Sequence, residues 1–280
     1  MAEATKKRQG KHGEGPELDE TQEKKAEEEQ SLDAPTTLEV IRRMGEQELE
    51  RKSGALAWSG LAAGLSMGFS VVAEAALASR LPEADWRPLV SKLGYPVGFL
   101  IVILGSQQLF TENTLTAVVP TMARKAGGAV ANMLRLWGVV FLANIVGTIL
   151  FALVLGRTEL FGPEFHRAFE HMGRETIRAE FGLTMLRAVF AGWLIALMVW
   201  MLPAAQSAHV LVIVVMTWLV GAGGLPHIVA GSTEVAYLAT VGSIGWGEYL
   251  VRFVVPTLIG NTVGGTMLVA ALNHAQVAGG

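Results

Sequence analysis

Two long apolar stretches of this 280-residue chain are interrupted by polar residues that could do chemistry. Residues 107–114 read QQLFTENT, and residues 226–234 read PHIVAGSTE. A lipid bilayer offers no water to satisfy free backbone groups, so non-helical backbone at that depth is tolerated only where protein buries it or where it lines a cavity. Broken apolar segments at corresponding places in two halves of a chain therefore predict a transport site.

Three ionisable side chains lie in or beside these interruptions, namely Glu112, His227 and Glu234. Ionisable residues at mid-bilayer are costly and are functional hypotheses by default. A histidine titrates close to neutral pH, so His227 could donate a proton or a hydrogen bond to an entering anion; its structural alternative is a buried neutral histidine that ties loop backbone together. For Glu112 and Glu234 two roles stay open: helix caps on the broken ends, or a proton relay or cation-attracting site.

The apolar stretches are long enough for six membrane crossings, at about twenty residues per crossing. The second and fifth stretches exceed one ordinary span and contain the two interruptions, so each is predicted to form two half-helices joined by a loop. An even number of crossings places both termini on the same side of the membrane. The six predicted spans are residues 54–78, 94–122, 130–155, 183–202, 207–241 and 248–273.

Charge is concentrated at the start of the chain, where residues 1–52 hold 10 of the 22 basic and 14 of the 25 acidic residues. The whole chain is 51% hydrophobic with a mean hydropathy of +0.41, which is typical of a membrane protein. Thr36 and Glu39 have the spacing of a capping box at the start of a surface helix. The predicted domains are a disordered polar cytoplasmic arm (1–34), an amphipathic cytoplasmic surface helix (35–52), a six-helix transmembrane channel domain (53–273) and a short tail (274–280).

Basic residues predict the orientation, because lysine and arginine are enriched in cytoplasmic loops. They precede the first predicted span and flank the connection between the second and third, which places both termini in the cytoplasm. The connection from residue 156 to 182 holds four arginines together with five glutamates, and we predict an amphipathic helix over 164–180 on the outer face. Glu74, near the end of the first span, is predicted to be interfacial. The basic residues that set the orientation are Arg42, Arg43, Arg51, Lys52, Arg124, Lys125 and Arg135.

The two halves of the chain share short strings. The Thr-Glu pair that begins at Thr111 recurs 122 residues later, and NIVGT from Asn144 resembles NTVGGT from Asn261, 117 residues later. Three spans repeated three spans later must be related by an inverted two-fold axis in the membrane plane, because each repeat has an odd number of spans. Glycines at intervals of four predict close helix packing in the first and sixth spans. They are Gly60, Gly64, Gly68, Gly260 and Gly264.

Composition excludes several kinds of site. The chain has no cysteine, so disulfides, thiolate metal sites and cysteine nucleophiles are excluded. Its net charge of −3 gives no case for a nucleic-acid partner. No zinc motif, phosphate-binding loop or nucleophile triad is visible in the sequence, so we predict no metal, no cofactor and no enzymatic reaction.

Three strings are similar to signatures of the formate/nitrite transporter family. They are Leu109-Phe110-Thr111, the sequence PTLIGNTVGG at 256–265, and Gly224-Leu225-Pro226-His227, in which His227 resembles the central histidine of the family. The resemblance implies an all-α membrane protein with six transmembrane helices, an aquaporin-like inverted repeat, a homopentamer with one pore per protomer, and a bacterial-type inner (plasma) membrane. It implies small monovalent anions or their weak acids as substrates.

The resemblance also implies roles for individual pore residues. Leu109 and Phe110 would belong to the cytoplasmic-side constriction, with Phe99 as the apolar residue ahead of it. Thr111 would hydrogen-bond the central histidine or the substrate. Val220 would stand in the outer apolar slit, so that the histidine lies midway between the two constrictions.

Four positions depart from the pattern of the family. Pro226 replaces the usual glutamate before the histidine, Gly231 and Gly192 replace asparagines, and Thr176 stands where a vestibule lysine is common. Selectivity therefore does not carry over from the family. The additional carboxylates beside the two interruptions and the acidic arm resemble most the YfdC-like branch, whose substrate the resemblance does not supply.

Two further functions compete with an anion channel. Because the added carboxylates replace groups that favour anions, the pore could be a conduit for a neutral or cationic small solute. Alternatively, the chain could keep the architecture of a channel and act through its acidic arm as an interaction or regulatory module. All three functions place the protein in a lipid bilayer.

Overall fold

The computed structural model describes residues 32–123 and 128–271, and all the secondary structure in these two ranges is helical. The described residues from Asp33 onward belong to one compact unit. The predicted tail and the predicted arm, apart from residues 32–34, lie outside the described residues.

The helices follow one another without intervening strands in the described ranges. Two segments near the end of the described chain have the wider π-helical turn. In chain order the elements are α1 (Ala34–Glu50), α2 (Ser53–Ala78), α3 (Arg87–Ser91), a 3-10 turn (Lys92–Gly94), α4 (Pro96–Leu104), α5 (Phe110–Thr116), α6 (Val118–Ala123), α7 (Gly128–Arg157), α8 (Pro163–Thr176), α9 (Phe181–Ala205), a 3-10 turn (Gln206–Ala208), α10 (His209–Ala222), α11 (Ala230–Thr240), α12 (Trp246–Glu248), a π-helix (Tyr249–Val254), α13 (Val255–Val263) and a π-helix (Gly264–Ala271).

Four helical stretches in the described part of the chain are long and apolar enough to cross a membrane. Two of them are single helices, α2 and α7. The other two combine neighbouring helices and end at the predicted interruptions, at Leu104 and Ala222. The four stretches are Ser53–Ala78, Arg87–Leu104, Gly128–Arg157 and Phe181–Ala222.

The surface helix α1 begins one residue earlier than predicted and is capped differently. Asp33 is the N-cap, and its carboxylate oxygen accepts a hydrogen bond of 2.9 Å from the amide of Thr36. The predicted capping box is wrong, because the Glu39 carboxylate turns instead to arginines of its own helix. One face of the helix is buried, through Thr37, Ile41, Gly45 and Leu49.

Both predicted interruptions are present, and their backbones match. After α4 the amide of Gln107 donates to the carbonyl of Val102 (2.9 Å), and after α10 the amide of Leu225 donates to the carbonyl of Val220 (3.1 Å). The residue immediately before each donor has a positive φ. It is Ser106, at 51°, in the first break and Gly224, at 57°, in the second. Such a left-handed residue ends a helix by turning the chain aside. The two breaks are therefore the same turn, repeated after 118 residues.

Two buried asparagines fix the broken ends. Asn144 on α7 accepts a hydrogen bond from the amide of Phe110 (2.9 Å) and donates to the carbonyls of Gln108 (2.9 Å) and Gly60 (2.8 Å). Two of these bonds satisfy backbone groups that the break leaves free, and the third ties the asparagine to α2, so this side chain holds the second-span break in place.

Asn261 on α13 does the same for the second break. It accepts from the amide of Ile228 (2.8 Å) and donates to the carbonyls of Pro226 (3.0 Å) and Ala188 (2.8 Å). The predicted correspondence of Asn144 with Asn261 is therefore confirmed.

The predicted correspondence of the two Thr-Glu pairs is wrong. The amides that the asparagines bind, those of Phe110 and Ile228, align the repeats at an offset of 118 residues. At that offset Glu112, the third residue of α5, is not aligned with Glu234, the fifth residue of α11. The pairs match in sequence but lie one helical turn apart in the repeat.

Glycines let the helices that carry the asparagines approach α2 and α9. A side chain on Gly64 would overlap the backbone of Asn144, and one on Gly192 would overlap the backbone of Asn261. Gly264 faces the carbonyl of Val189 in the same way. The predicted packing role is confirmed for these positions and for Gly60, Gly68 and Gly260, which were also predicted; Gly192 was not predicted.

The half-helix α11 lies at the centre of the protein, where every one of its residues is buried. The helix α8 packs against it, and the side chain of His166 contacts the hydroxyl of Tyr237 at 2.9 Å. The prediction placed α8 at 164–180, but it ends at Thr176. The chain after that residue turns back toward α11 and brings polar groups to the site.

Candidate functional site

Two cavities meet opposite ends of α10. The first, the His227 cavity, has a volume of about 610 Å³ and is lined by His227, Val220 and Glu234 among others. The second, the Glu112 cavity, has a volume of about 590 Å³ and is lined by Glu112 and, from the start of α10, His209. Because residues from the start of α10 line one cavity and residues from its end line the other, the two cavities are separated along this helix.

The apolar side chains that the resemblance assigns to one constriction are all buried. Phe99, Leu109 and Phe110 are at most 3% exposed and line neither cavity. Phe99 lies on α4 between Tyr95, which faces the His227 cavity, and Ile103, which faces the Glu112 cavity. A solute that passes from one cavity to the other must therefore displace or slip past apolar groups.

His227 stands at the edge of this apolar region and its hydrogen bonds define its protonation. Its Nε2 lies 2.7 Å from the hydroxyl oxygen of Thr111, and its Nδ1 accepts a hydrogen bond of 3.2 Å from the amide of Ala230. Because Nδ1 accepts, the proton of the neutral ring is on Nε2, which donates to Thr111. The ring of Phe99 meets the imidazole edge-on, 5.0 Å between centroids.

Glu234 reaches the His227 cavity from the middle of α11. The hydroxyl of Thr176 donates to one of its carboxylate oxygens at 2.5 Å. Thr176 is the position at which the resemblance leads one to expect a lysine, and here it serves the carboxylate. The side chain of Glu234 is only 5% exposed, so bulk water screens a charge on it weakly.

Glu74, for which the sequence predicts a position at the membrane interface, is buried within the protein. It is 3% exposed and forms an ion pair with Lys92, which in turn lines the His227 cavity. Lys92 is a site residue that the sequence analysis missed. Its signal is that it is the lone basic residue between positions 88 and 123, immediately ahead of an apolar run.

Glu112 stands in a different setting. One of its carboxylate oxygens is buried without a hydrogen-bond partner, and the same holds for the side-chain oxygen of Gln107 in the same cavity. Glu48 from α1 also lines this cavity, and its carboxylate is paired with Arg51 at 3.0 Å. The Glu112 cavity is thus rich in hydrogen-bond acceptors.

The predicted helix-cap role of the two carboxylates finds no support in the described residues. Neither Glu112 nor Glu234 accepts a backbone amide there, whereas Asn144 and Asn261 satisfy the broken ends. An amide side chain suits that task because it both donates and accepts, and a carboxylate can only accept.

A comparison with protein families decides which kind of membrane protein has these breaks. A family model for the formate/nitrite transporter matches residues 35–275. This chain belongs to the formate/nitrite transporter family. The resemblance found in the sequence is confirmed across nearly all of the chain.

Relatives in this family include proteins from several bacteria. The inner membrane protein YfdC of Escherichia coli (strain K12) is 45% identical over 239 residues, which cover 85% of this chain and 77% of that protein. The formate channel BtFdhC of Bacillus thuringiensis is 26% identical over 236 residues, which cover 81% of this chain and 88% of that protein. The predicted likeness to the YfdC-like branch of the formate/nitrite transporter family is confirmed.

Two solved structures share the fold. A pentameric formate channel with formate bound superposes with a TM-score of 0.67 and 17% identity, covering 85% of this chain and 99% of that chain. An ion channel of the formate/nitrite transporter family superposes with a TM-score of 0.73 and 19% identity, covering 87% of this chain and 98% of that chain. The chain is a helical membrane protein of a family of formate and nitrite channels and transporters, not of enzymes.

Proposed function

We propose that this protein is an inner-membrane channel or transporter for small monovalent anions or their weak acids, with one pore in each protomer of a homopentamer. The E. coli relative is named as an inner membrane protein, and the B. thuringiensis relative as a formate channel. One structural neighbour is a pentameric formate channel with formate bound. These relatives support formate- and nitrite-like solutes as the first substrates to test.

The proposed topology has six spans in an inverted repeat. The long helices α2, α7 and α9 are the first, third and fourth spans. The second span runs from α3 through α6 and the fifth from α10 through α11, each with its break, and the sixth runs from α12 to the end of the described chain. The matching asparagine bonds of the two breaks support the repeat.

One observation carries the proposal: one cavity reaches a buried histidine–threonine pair, and apolar residues lie between that pair and a second cavity of similar size. Leu109, Phe110 and Phe99 form the proposed constriction on the side of the Glu112 cavity. Val220, fully buried and in the wall of the His227 cavity, belongs to the constriction on the other side. His227 and its partner threonine lie between these constrictions as the polar station of the pore.

The chemistry follows from the cost of moving an anion through apolar surroundings, which strongly disfavour an unpaired charge. Because His227 already donates its Nε2 proton to Thr111, the threonine hydroxyl proton is free for the passing anion. Protonation of the ring at Nδ1 requires that the bond from Ala230 be given up first. The pair therefore offers a hydrogen bond before it offers a proton.

Both termini are proposed to lie in the cytoplasm. Six spans require a common side for the termini, and the basic residues of α1 and of the connection after α6 favour the cytoplasmic side. The Glu112 cavity, which α1 helps to line, then opens to the cytoplasm, and the His227 cavity opens outward.

Flux into liposomes tests the proposal. Purified protein is reconstituted, and the entry of formate, nitrite, chloride and ammonium is followed at several pH values. We expect formate and nitrite to enter at least about tenfold faster than in empty vesicles, and His227→Leu to remove most of the difference. Formate and nitrite rates equal to those of empty vesicles would sink the anion proposal.

A neutral or cationic solute is the second candidate, and the Glu112 cavity favours it. Two glutamates line that cavity, and none of the described lining residues is a lysine or an arginine. An ionised carboxylate repels an anion by roughly 4 kcal/mol at about 4 Å for an effective dielectric constant of about 20. If Glu112→Gln slows ammonium and leaves formate unchanged, the cation candidate is favoured; if it speeds formate, the anion proposal is favoured.

A further inference from the structure

Three charged residues form a buried cluster beside the His227 cavity, outside the histidine–threonine pair. Glu74 from α2 forms an ion pair with Lys92, which precedes α4, and Glu234 on α11 lines the same cavity as Lys92. The two carboxylic residues are 3% and 5% exposed, and the lysine side chain is 20% exposed. We call this set the Glu74–Lys92–Glu234 cluster.

The cluster has more negative than positive charge. Two ionised carboxylates share one ammonium group, so one negative charge is left without a counter-ion in a buried place, where unpaired charge is costly. One carboxylate oxygen of Glu74 is buried with no hydrogen-bond partner. Protonation of the carboxyl group would remove this unsatisfied acceptor, because the oxygen would then carry the hydrogen itself.

Other charged groups share the cavity with the cluster, but they are exposed to solvent, where their charge is screened. They are Arg178, Arg187, Glu175 and Glu180. No lysine or arginine among the described residues is fully buried beside the cluster to balance its second carboxylate. The phenol of Tyr95, the residue before α4, and the neutral ring of His227 line the same cavity, and Thr176 is neutral. His171 on α8 is near Glu74 but is exposed to solvent, where its charge is screened.

We propose that the Glu74–Lys92–Glu234 cluster is a proton-binding site that holds one proton between its two carboxylates and sets the charge of the His227 cavity. Glu234 faces the cavity, so the proton exchanges with the solution there. Glu74 does not line the cavity and acts through Lys92. With the proton bound, the cluster is neutral and anions enter the cavity without repulsion; without it, the cluster carries one negative charge.

Infrared spectroscopy tests the bound proton without reference to transport. Wild-type protein in liposomes is titrated while the carbonyl stretch of protonated carboxyl groups is recorded, and Glu112→Gln identifies any signal from Glu112. We expect a titrating band that disappears in both Glu74→Gln and Glu234→Gln, because removal of either carboxylate leaves a neutral pair with the lysine. Lys92→Met should increase the band about twofold, since both carboxylates then need a proton.

Anion flux tests what the proton does, and this part rests on the proposed function. At neutral pH we expect Glu74→Gln to raise formate entry about tenfold over wild type, the effect of about one unit charge over roughly 10 Å at an effective dielectric constant of about 20. At acidic pH the two rates should converge, because the wild-type cluster is then protonated. Glu83→Gln, which changes an exposed glutamate paired with Arg87, is the matched control and should follow wild type at every pH.

The outcomes separate the two proposals. No band in wild type, a band that survives in Glu74→Gln or Glu234→Gln, or no increase in Lys92→Met overturns the proton site. Equal formate rates for wild type and Glu74→Gln at all pH values overturn the control of cavity charge. If wild type carries no formate while the band behaves as expected, the proton site stands and the proposed anion channel fails.

Discussion

The two helix breaks have the same backbone and different side chains. In each, a residue with positive φ ends the first half-helix, and an asparagine from a neighbouring helix binds the amide that starts the second. Three residues beyond the positive-φ residue the first break has Leu109 and the second has His227. The backbone of a break must be satisfied inside a membrane, whereas the side chain at its tip is free to differ, and this difference gives the protein one apolar and one polar tip.

The cavities differ in the same sense. The Glu112 cavity has acceptors and carboxylates, and no lysine or arginine among its described lining. The His227 cavity mixes lysine, arginine and glutamate around the histidine. The two breaks therefore share their backbone support but face cavities of different chemistry. The following substitutions test whether the support of the backbone and the chemistry of the cavities can be changed separately.

The largest effect is expected from removal of the supporting asparagines. Asn144→Leu and Asn261→Leu should each lower the free energy of unfolding by roughly 2–6 kcal/mol, because each leaves two buried backbone groups of a break unsatisfied at about 1–3 kcal/mol apiece. Denaturant titration of the reconstituted protein measures it.

Asn132→Leu on the exposed face of α7 is the control for this change and should stay within about 0.5 kcal/mol of wild type. If Asn144→Leu lowered the free energy of unfolding as expected and Asn261→Leu did not, the two breaks would not be equivalent.

A smaller loss is expected at the glycines behind the asparagines. Gly64→Ala and Gly192→Ala should each cost roughly 1–3 kcal/mol, because the added carbon overlaps the facing backbone and the helices must move apart. Gly138→Ala on α7, where no atom lies within 4 Å of the new carbon, should instead be neutral or stabilising by up to about 1 kcal/mol. Thermal unfolding would contradict the shared packing if only one of the first two variants lost stability.

Loss of the threonine hydroxyl should change transport, and it should also lower stability by about 1–3 kcal/mol, because the buried Nε2–H of His227 loses its acceptor. Thr111→Val removes the acceptor of His227 and the free hydroxyl proton, and we expect formate entry to fall about tenfold, which equals about 1.4 kcal/mol. Thr111→Ser keeps the hydroxyl and should retain most of the flux. Equal rates for Thr111→Val and wild type would show that the polar station does not lie on the path.

The smallest effect on stability is expected in α1, a helix that lines the Glu112 cavity and not the His227 cavity. Hydrogen bonds from Arg42 and then from Arg43 lower the pKa of Glu39 from 4.5 to about 2. A lowered pKa means that the ionised carboxylate stabilises the folded helix fully above about pH 4.5, and that this contribution is lost as pH falls toward about 2.

The difference in Tm between wild type and Glu39→Gln should accordingly be constant near neutral pH and vanish in strong acid. A difference that persists unchanged at about pH 2 would contradict this assignment.

Part of this arrangement could be predicted from residue types alone. The two breaks, the helical class and the packing glycines follow from hydropathy and spacing, since a polar string inside an apolar run has few uses in a bilayer. The repeat was partly misaligned, because Thr-Glu pairs match by chance whereas only hydrogen bonds to Asn144 and Asn261 define the register. The burial and pairing of Glu74 were not predicted, because its partner Lys92 lies on another element.

The sequence by itself determined that this chain is a membrane protein with two broken apolar segments, and its short strings determined the family. Both properties are local, because composition, spacing and signature strings are read along the chain. Only the tertiary structure decided that asparagines and not glutamates hold the broken ends, that Nε2 of His227 carries the proton, and that Lys92 pairs with the buried Glu74. Those facts depend on contacts between residues far apart in sequence, which no local pattern encodes.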